Sequence, residues 1–200
     1  MAIVPRPTPP PSPYQWLCQD VLVVAPQLLG WELVSTIDGA ETAGRIVEVE
    51  AYHGAEDPAS HAFRGIRPRT APMALGGGHI YAYRSYGIHT CVNLVTGAPG
   101  SSGQAVLIRA LEPTTGLDLM AARRGLTQVR LLCKGPGRLT QALGIALDDS
   151  DTAMGSKISL RPPQQRTEAA TIVAGPRIGV SQAKDYPWRF YLKNNRFVSR

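Results

Sequence analysis

Apolar and polar positions along this chain alternate between a period near 3.6 and a period of two, which predicts helices and strands within one chain. From Tyr14 to Leu29, the residues Trp16, Leu17, Val21, Val24, Ala25, Leu28 and Leu29 fall at helical spacing; Pro26 should break or kink this helix, and Gly30 ends it. Trp31 to Thr36 reads as a strand that the turn signal Asp38-Gly39 returns, antiparallel, into the run Gly44 to His53. As a strand, that run puts Val47, Val49 and Ala51 on one face and Glu48, Glu50 and Tyr52 on the other. Gly76-Gly77-Gly78 permits a sharp change of direction before His79 to Val95, whose aromatic and β-branched residues predict two strands joined tightly at Ser85-Tyr86-Gly87. Gln104 to Pro113 is a further strand, interrupted by Arg109. Thr114 to Gly125 predicts a short surface helix with a threonine cap, and Leu132 to Ile145 a loop through Gly135-Pro136-Gly137 that opens a second helix. Lys157 to Arg161 is a short strand and Pro162 to Ala169 a polar loop. Thr171 to Val180 and Trp188 to Ser199 alternate again, with Asn194-Asn195 as the turn of a closing hairpin. No internal repeat or linker divides the pattern, and 200 residues suffice for one core.

Several polar residues stand where this pattern makes them informative. Two acids on a strand are ordinary when their face is wet, so Glu48 and Glu50 say little alone. Arg109, inside an otherwise apolar strand, needs a partner, and Glu50 or Glu48 on a neighbouring strand is the obvious one. Pattern does not separate a pair that merely joins two strands from one that serves chemistry. Tyr86 at the hairpin tip is a poor core residue and a good wedge, because proteins that pry a base from a duplex insert a bulky side chain into the gap. A tyrosine folded back onto its own hairpin is the plainer alternative. Ala59 to Thr70 carries Arg64, Arg67 and Arg69 with little periodic apolarity, a basic loop that is either solvated or set against phosphates. Lys134 and Arg138 flank the glycines before the second helix, whose free amides can hold an anion.

Composition adds a direction. A formal charge of +6 and a pI near 9.5 favour an anionic partner. Nucleic acid ranks ahead of a membrane, since no basic amphipathic helix stands out. Only Lys134, Lys157, Lys184 and Lys193 are lysines, so 17 of the 21 basic residues are arginines. That choice suits bidentate phosphate contact, although a genome rich in G and C gives the same bias. Cys18, Cys91 and Cys133 are widely separated and odd in number, which suggests neither a disulfide framework nor a CxxC site and fits a reducing cytoplasm. His53, His61, His79 and His89 show no HExxH spacing, so no metal is expected. The proline-rich opening, residues 1–13, lacks the continuous apolar core of a signal peptide or membrane span, and is expected to be a disordered arm ahead of one domain over residues 14–200.

Taken in order, several stretches form a series: Arg45-Ile-Val-Glu-Val-Glu-Ala-Tyr52, Glu56-Asp57, Ser60-His61, Tyr81-Ala-Tyr83, Tyr86-Gly87, Asn93 and Val106-Leu-Ile-Arg-Ala-Leu-Glu-Pro113. This series resembles the alkyladenine (3-methyladenine) DNA glycosylase family, the methylpurine-DNA glycosylase type. Gly135-Pro-Gly-Arg-Leu139, Gln141-Ala-Leu143, Gly175-Pro-Arg-Ile-Gly-Val180 and Arg189-Phe-Tyr191 extend the resemblance over residues 20–199. It implies a single compact domain of mixed α/β (α+β) class: a curved antiparallel sheet, flanking helices and a protruding β-hairpin that enters the DNA minor groove. It implies base-excision repair, in which an alkylated, or also deaminated or etheno, purine is flipped from double-stranded DNA and its N-glycosidic bond hydrolysed to leave an abasic site.

Matched position by position, Glu50 would be the general base that activates water, and Arg109 would hold that carboxylate and the water. Tyr52, His61 and Tyr83 would sandwich and hydrogen-bond the flipped base, Asn93 would line the pocket against a guanine amino group, and Tyr86 would fill the gap in the duplex. Arg64, Arg67, Arg69, Arg84, Lys134 and Arg138 are the candidates for the DNA backbone. No cofactor or membrane partner is implied. A monomer working in a bacterial cytoplasm, with the nucleoid, or in a nucleus is expected, not a secreted protein.

The chemistry agrees with these roles. A glutamate with an ordinary pKa of about 4.3 is ionised at neutral pH, can accept a proton from water and favours an oxocarbenium-like sugar. A 3-alkylated purine is cationic, so tyrosine faces attract it and it leaves without a strong acid. A lyase needs an amine nucleophile, and the half of the chain carrying Glu50 has no lysine, so a monofunctional enzyme is expected. Met73-Ala74-Leu75-Gly76-Gly77-Gly78 departs from the Met-Phe and proline-glycine turn of many relatives, which removes an aromatic contact and predicts a looser turn. Arg84 and Ser85 replace residues that are often apolar.

Two other readings compete. One is a binder on the same scaffold that does not cut, against which the Glu50–Arg109 combination argues. The other is a carbohydrate-active enzyme using Glu48 and Glu50, which as same-face neighbours lie about 7 Å apart; the few tryptophans and the basic charge argue against it.

Overall fold

Pattern and structure part first at the N-terminal helix. In the computed structural model, which describes residues 13–163 and 167–199, Tyr14–Cys18 forms only a 3-10 turn. Gln19 is extended, and Asp20 restarts the chain as the cap of α1 (Val21–Gln27), accepting the Leu22 amide at 2.8 Å. The single helix expected over residues 14–29 is therefore two pieces, because a capping aspartate placed before an apolar run favours a new start. Pro26 lies in the last turn of α1, which stops one residue later.

β1 (Glu32–Ser35) and β2 (Thr42–Tyr52) form the expected antiparallel pair around Asp38-Gly39, both left-handed. β3 (Ile80–Ser85) and β4 (His89–Thr96) form the expected hairpin, with Tyr86 and Gly87 left-handed at its tip, and β5 (Gln104–Thr115) follows. α2 (Leu117–Arg124) is capped by left-handed Gly116 and not by threonine: Thr114 and Thr115 stay in β5. α3 (Val129–Leu132), a single turn without a periodic signal, precedes α4 (Pro136–Leu143) and then β6 (Ile158–Arg161). β7 (Ile172–Gly175) pairs with β8 (Arg189–Leu192) through residues 176–188, so Asn194-Asn195 is a turn after β8 and not the turn of a closing hairpin. Of the expected arm, residues 1–12 lie outside the described residues, as do 164–166 of the polar loop and Arg200.

All the strands join one curled antiparallel sheet in the order β3-β4-β5-β2-β1-β6, with β8 on β2 and β7 on β8. β2 is its spine: β5 runs along one edge, while β1 and β8 share the other, β8 opposite Glu48 to Glu50. Alternation then sorts the side chains. Val47, Val49, Ala51, Val92, Leu94, Val106 and Ile108 enter the main core with Val24 and Ala25 of α1, Met120 of α2, and Leu139 and Leu143 of α4. On the opposite face, Tyr81, Val95 and Ala105 pack with Ala62 and Met73 in a second cluster. Both faces of β2 are thus covered, and Glu48 and Glu50 are fully buried where a half-wet strand would have solvated them.

The β2–β5 ladder is irregular where the site forms. Glu48 lies opposite Ala110 and Val49 opposite Ile108, which leaves Arg109 as the extra residue on β5. Such bulges re-aim a side chain without breaking the sheet. The triple glycine is not the looser turn its sequence predicts. A Cβ on Gly77 would fall 2.3 Å from the Leu17 carbonyl carbon, and Gly76, at φ +94, abuts Pro99. The glycines are there for close approach, and the Gly77 and Gly78 amides bond to Gly97 and Val95 carbonyls at 2.9 and 3.2 Å.

Candidate active site

The two acids of β2 end in different surroundings. Glu50 Oε2 accepts the Tyr52 hydroxyl at 2.9 Å, and Oε1 accepts the Ile178 peptide N–H at 2.7 Å and faces Arg109 Nη1 at 3.2 Å. Tyr52, Arg109 and Ile178 all line one open cavity of about 880 Å³, so Glu50 lies directly behind its wall. Glu48 turns the other way along the sheet. Its Oε1 accepts Arg189 Nε at 2.7 Å and Arg109 Nε at 3.3 Å, its Oε2 accepts the Ser199 amide at 2.6 Å, and it has no place on the cavity wall. Arg109 therefore pairs with both acids, where one partner was expected. Burial alone would lower the Arg109 pKa, but the Glu50 and Glu48 carboxylates outweigh it and raise it, so the guanidinium stays charged.

The remaining walls are aromatic. Tyr81 and Tyr83, two apart on β3, stack at 5.7 Å between centroids, and the His61 ring meets Tyr83 edge-on at 4.6 Å. His61 Nδ1 lies 2.9 Å from the Tyr81 hydroxyl. Burial, with Arg69 adding to it, lowers the His61 pKa, so the imidazole is neutral at neutral pH. Burial pushes the Tyr81 hydroxyl up to about 12 and raises Tyr52 and Tyr83 further, Glu50 adding to the rise of Tyr52. All three phenols are protonated donors. Asn93 also faces the cavity, with its orientation fixed by Nδ2 donating to the Tyr81 carbonyl at 3.0 Å.

At the rim the β3–β4 tip projects into solvent, Tyr86 being 86% and Ile88 74% exposed. Arg64 and Arg67 are exposed on the basic loop, while Arg69 and Arg84 lie on the cavity rim. Arg138 is exposed in the first turn of α4. Lys134 is half-buried and donates to the Arg196 carbonyl at 3.3 Å. Among the described residues, no group of three or more His, Cys, Asp or Glu side chains is placed to hold a metal ion, and no helix is long and apolar enough to cross a membrane.

Sequence reasoning missed the residues that the β7–β8 connection and the C-terminal segment contribute. Ile178 acts through its peptide N–H, which leaves no trace in side-chain pattern. Arg177 is buried against Asp57, with Nη2 2.8 Å from Oδ1, and its guanidinium lies 4.7 Å from the centroid of the Tyr52 ring. The stretch Gly175 to Val180 carried part of the resemblance, but nothing in it announced a contact with Glu50 some 128 residues earlier.

The family model described as methylpurine-DNA glycosylase matches residues 15–196. The chain belongs to the methylpurine-DNA glycosylase family. This member is 50% identical over 187 residues to a protein of Methanoculleus marisnigri named "Putative 3-methyladenine DNA glycosylase", covering 91% of this chain and 95% of that one. Proteins with the same name are 51% identical over 187 residues in Rhodopseudomonas palustris, covering 92% and 86%, and 48% identical over 192 residues in Agrobacterium fabrum, covering 96% and 93%. Membership places the chain among DNA glycosylases of alkylated bases, with DNA as the substrate polymer.

Proposed function

We propose that this methylpurine-DNA glycosylase family member is monofunctional: it flips alkylated, deaminated or etheno purines out of double-stranded DNA and hydrolyses the N-glycosidic bond with water activated by Glu50. The observation that carries this reading is the placing of Glu50 against the back of an aromatic cavity, gripped by a phenol, a peptide N–H and a guanidinium that all line that cavity. Tyr86 enters the duplex gap while the base passes into the cavity. Tyr52 on one side and Tyr83 with His61 on the other then sandwich it, and a cationic alkylated purine gains most from their π faces. Asn93, its amide already committed, opposes the 2-amino group of an undamaged guanine. Arg64, Arg67, Arg69, Arg84 and Arg138 meet the phosphates, with Lys134 beside them.

Glu50 has no exposed surface, so water reaches it only as the Tyr52 hydroxyl moves off Oε2, the oxygen with a single donor. Arg109 and Ile178 keep Oε1 engaged, which aims Oε2 at the incoming water. Glu50 takes the proton of that water as the glycosidic bond breaks, its charge favouring the cationic sugar until then; a cationic alkylated purine departs neutral, while a deaminated or etheno purine departs as an anion that takes up a proton from solvent. No lysine is among the residues that line the cavity, which supports hydrolysis over a Schiff-base route. The working unit is the domain from residue 14 onward, as a monomer without a cofactor, in the compartment that holds the DNA. The test incubates the protein with duplexes bearing one 3-methyladenine, hypoxanthine or ethenoadenine and cleaves abasic sites with alkali. A strand break at the lesion is expected; no break with any of the three would sink the proposal.

A further inference from the structure

Beyond Glu48 lie groups that the reaction above leaves without a task. Arg189 Nε bonds Glu48 at 2.7 Å and its Nη2 reaches the Ser199 carbonyl at 3.4 Å, while Arg109 Nη2 reaches the Ser199 hydroxyl at 3.4 Å. The segment carrying Ser199 is itself anchored, with Phe197 in the core and its amide on Asn195 Oδ1 at 2.9 Å. Carboxylates and guanidiniums thus alternate in a row, Glu50, Arg109, Glu48 and Arg189, with the Ser199 amide donating to Glu48 and the Ser199 carbonyl meeting Arg189. In a site poor in water such a row is coupled, because whatever holds Glu48 changes how much of Arg109 is left for Glu50.

Arg109 most needs such support. It is the bulged residue of β5, and it offers Nε to Glu48 and Nη1 to Glu50, so its grip on one acid sets its angle to the other. The other groups facing Glu50 are Tyr52 on its own strand, Tyr83 on β3, Cys91 on β4, Arg189 opposite it on β8, and Arg177 with Ile178 from the β7–β8 connection. Tyr52 and Tyr83 are neutral phenols, burial keeps Cys91 a neutral thiol, and Arg177 is committed to buried Asp57. Among the described residues Arg109 alone forms an ion pair with Glu50.

We infer that Glu48, Arg189 and the Ser199 amide are positioning residues, which set through Arg109 both the orientation of the Glu50 carboxylate and the pH at which it can accept a proton. This rests on Glu50 being the base. The test compares Glu48→Gln, Arg189→Met and the double variant in the full chain, by single-turnover base release against pH. Glu48→Gln removes a negative neighbour and leaves Arg109 to Glu50, so the acid limb moves down by about one pH unit. Arg189→Met makes Glu48 lean on Arg109, so the limb moves up by about as much, whereas the double variant, with no acid at position 48 to lean on Arg109, keeps the lowered limb of Glu48→Gln. Each single variant also loses about tenfold in release at the optimum, from misorientation.

Ser199→Pro deletes the amide donor at the periphery and should also move the limb up, which keeps the question answerable if Arg189→Met does not fold. The same shifts are read without catalysis by a carbon-13 NMR titration of glutamate side-chain carboxyls, Glu50 being assigned by its loss in Glu50→Gln. Failure of the glycosylase reading therefore shows as absent base release, while failure of the inference shows in the titration. A limb and a titration that stay put in the folded variants, or move the same way in Glu48→Gln and Arg189→Met, reduce Glu48 to a tie between strands.

Discussion

Replacing Glu50 by glutamine removes the proposed base with little disturbance to its surroundings. The amide oxygen can keep the Ile178 N–H and Arg109, now at 2.7 and 3.2 Å, and the amide NH2 can face the Tyr52 hydroxyl, which turns from donor to acceptor. What is lost is one negative charge beside Arg109, and Glu48 remains 3.3 Å away as its counter-charge. Charge-assisted bonds become ordinary ones at a folding cost of about 1–2 kcal/mol. The catalytic loss is larger, since a general base contributes about 10²–10⁴-fold, or roughly 3–5 kcal/mol of barrier.

The two magnitudes separate chemistry from stability. At a temperature where the variant is fully folded by thermal melting, single-turnover release from a duplex with one hypoxanthine should fall about a thousandfold, while Kd for that duplex, read by fluorescence anisotropy, stays within about threefold. Equal release by variant and wild type would refute the assignment of the base. A Kd that weakens as much as release slows would refute the claim that only charge was removed.

Three further outcomes follow from the same geometry. Tyr86→Ala should leave the melting temperature unchanged, because the side chain is 86% exposed, yet weaken binding to a damaged duplex about tenfold; unchanged affinity would remove Tyr86 as the wedge. His61 has its pKa lowered by burial and by Arg69, so the unfolded chain binds more protons near the ordinary histidine range and stability falls as pH drops through it. His61→Gln should flatten that part of the melting-temperature profile, and an identical profile would contradict the shift. Gly77→Ala drives a Cβ to 2.3 Å from the Leu17 backbone and should lower stability by about 3 kcal/mol, which an unchanged urea midpoint would exclude.

Local pattern made the strands legible because a strand buried on one side writes its register in alternation. Val47, Val49 and Ala51 enter the core as their parity requires, and Ser85-Tyr86-Gly87 turns the hairpin. Where a competing local choice was available the pattern misled: Asp20 caps a new helix inside an apparently continuous one, and Gly116 takes the cap expected of threonine. The triple glycine failed for another reason, since glycine signals freedom in sequence while its use here is close approach to Leu17 and Pro99. The family resemblance supplied Glu50, Arg109, Tyr52, His61, Tyr83 and Asn93, and the fold brings all but Glu50 to one cavity wall, with Glu50 just behind it. Ile178, Arg189 and Ser199 were out of reach, because their contacts with β2 span 128 to 151 residues and two of them pass through backbone N–H groups.

That distance also explains why parity could not choose between the two acids of β2. Both point to the same face, and what separates them is β8 and the segment after it, which close over Glu48 from the far end of the chain. Glu48 accepts three donors, has no cavity surface and holds a guanidinium at each side of Oε1. An enzyme that used both carboxylates on a sugar would need each to face its substrate, so this enclosure argues against the carbohydrate-active reading more strongly than tryptophan content does. Each acid has one oxygen with a single donor, but for Glu50 that donor is the hydroxyl of Tyr52 on the cavity wall, and for Glu48 it is the Ser199 peptide N–H. Of the two acids, Glu50 alone is held by side chains that line the cavity at both oxygens, Tyr52 at Oε2 and Arg109 at Oε1. The asymmetry favours Glu50 as the base and leaves Glu48 to act on it through Arg109.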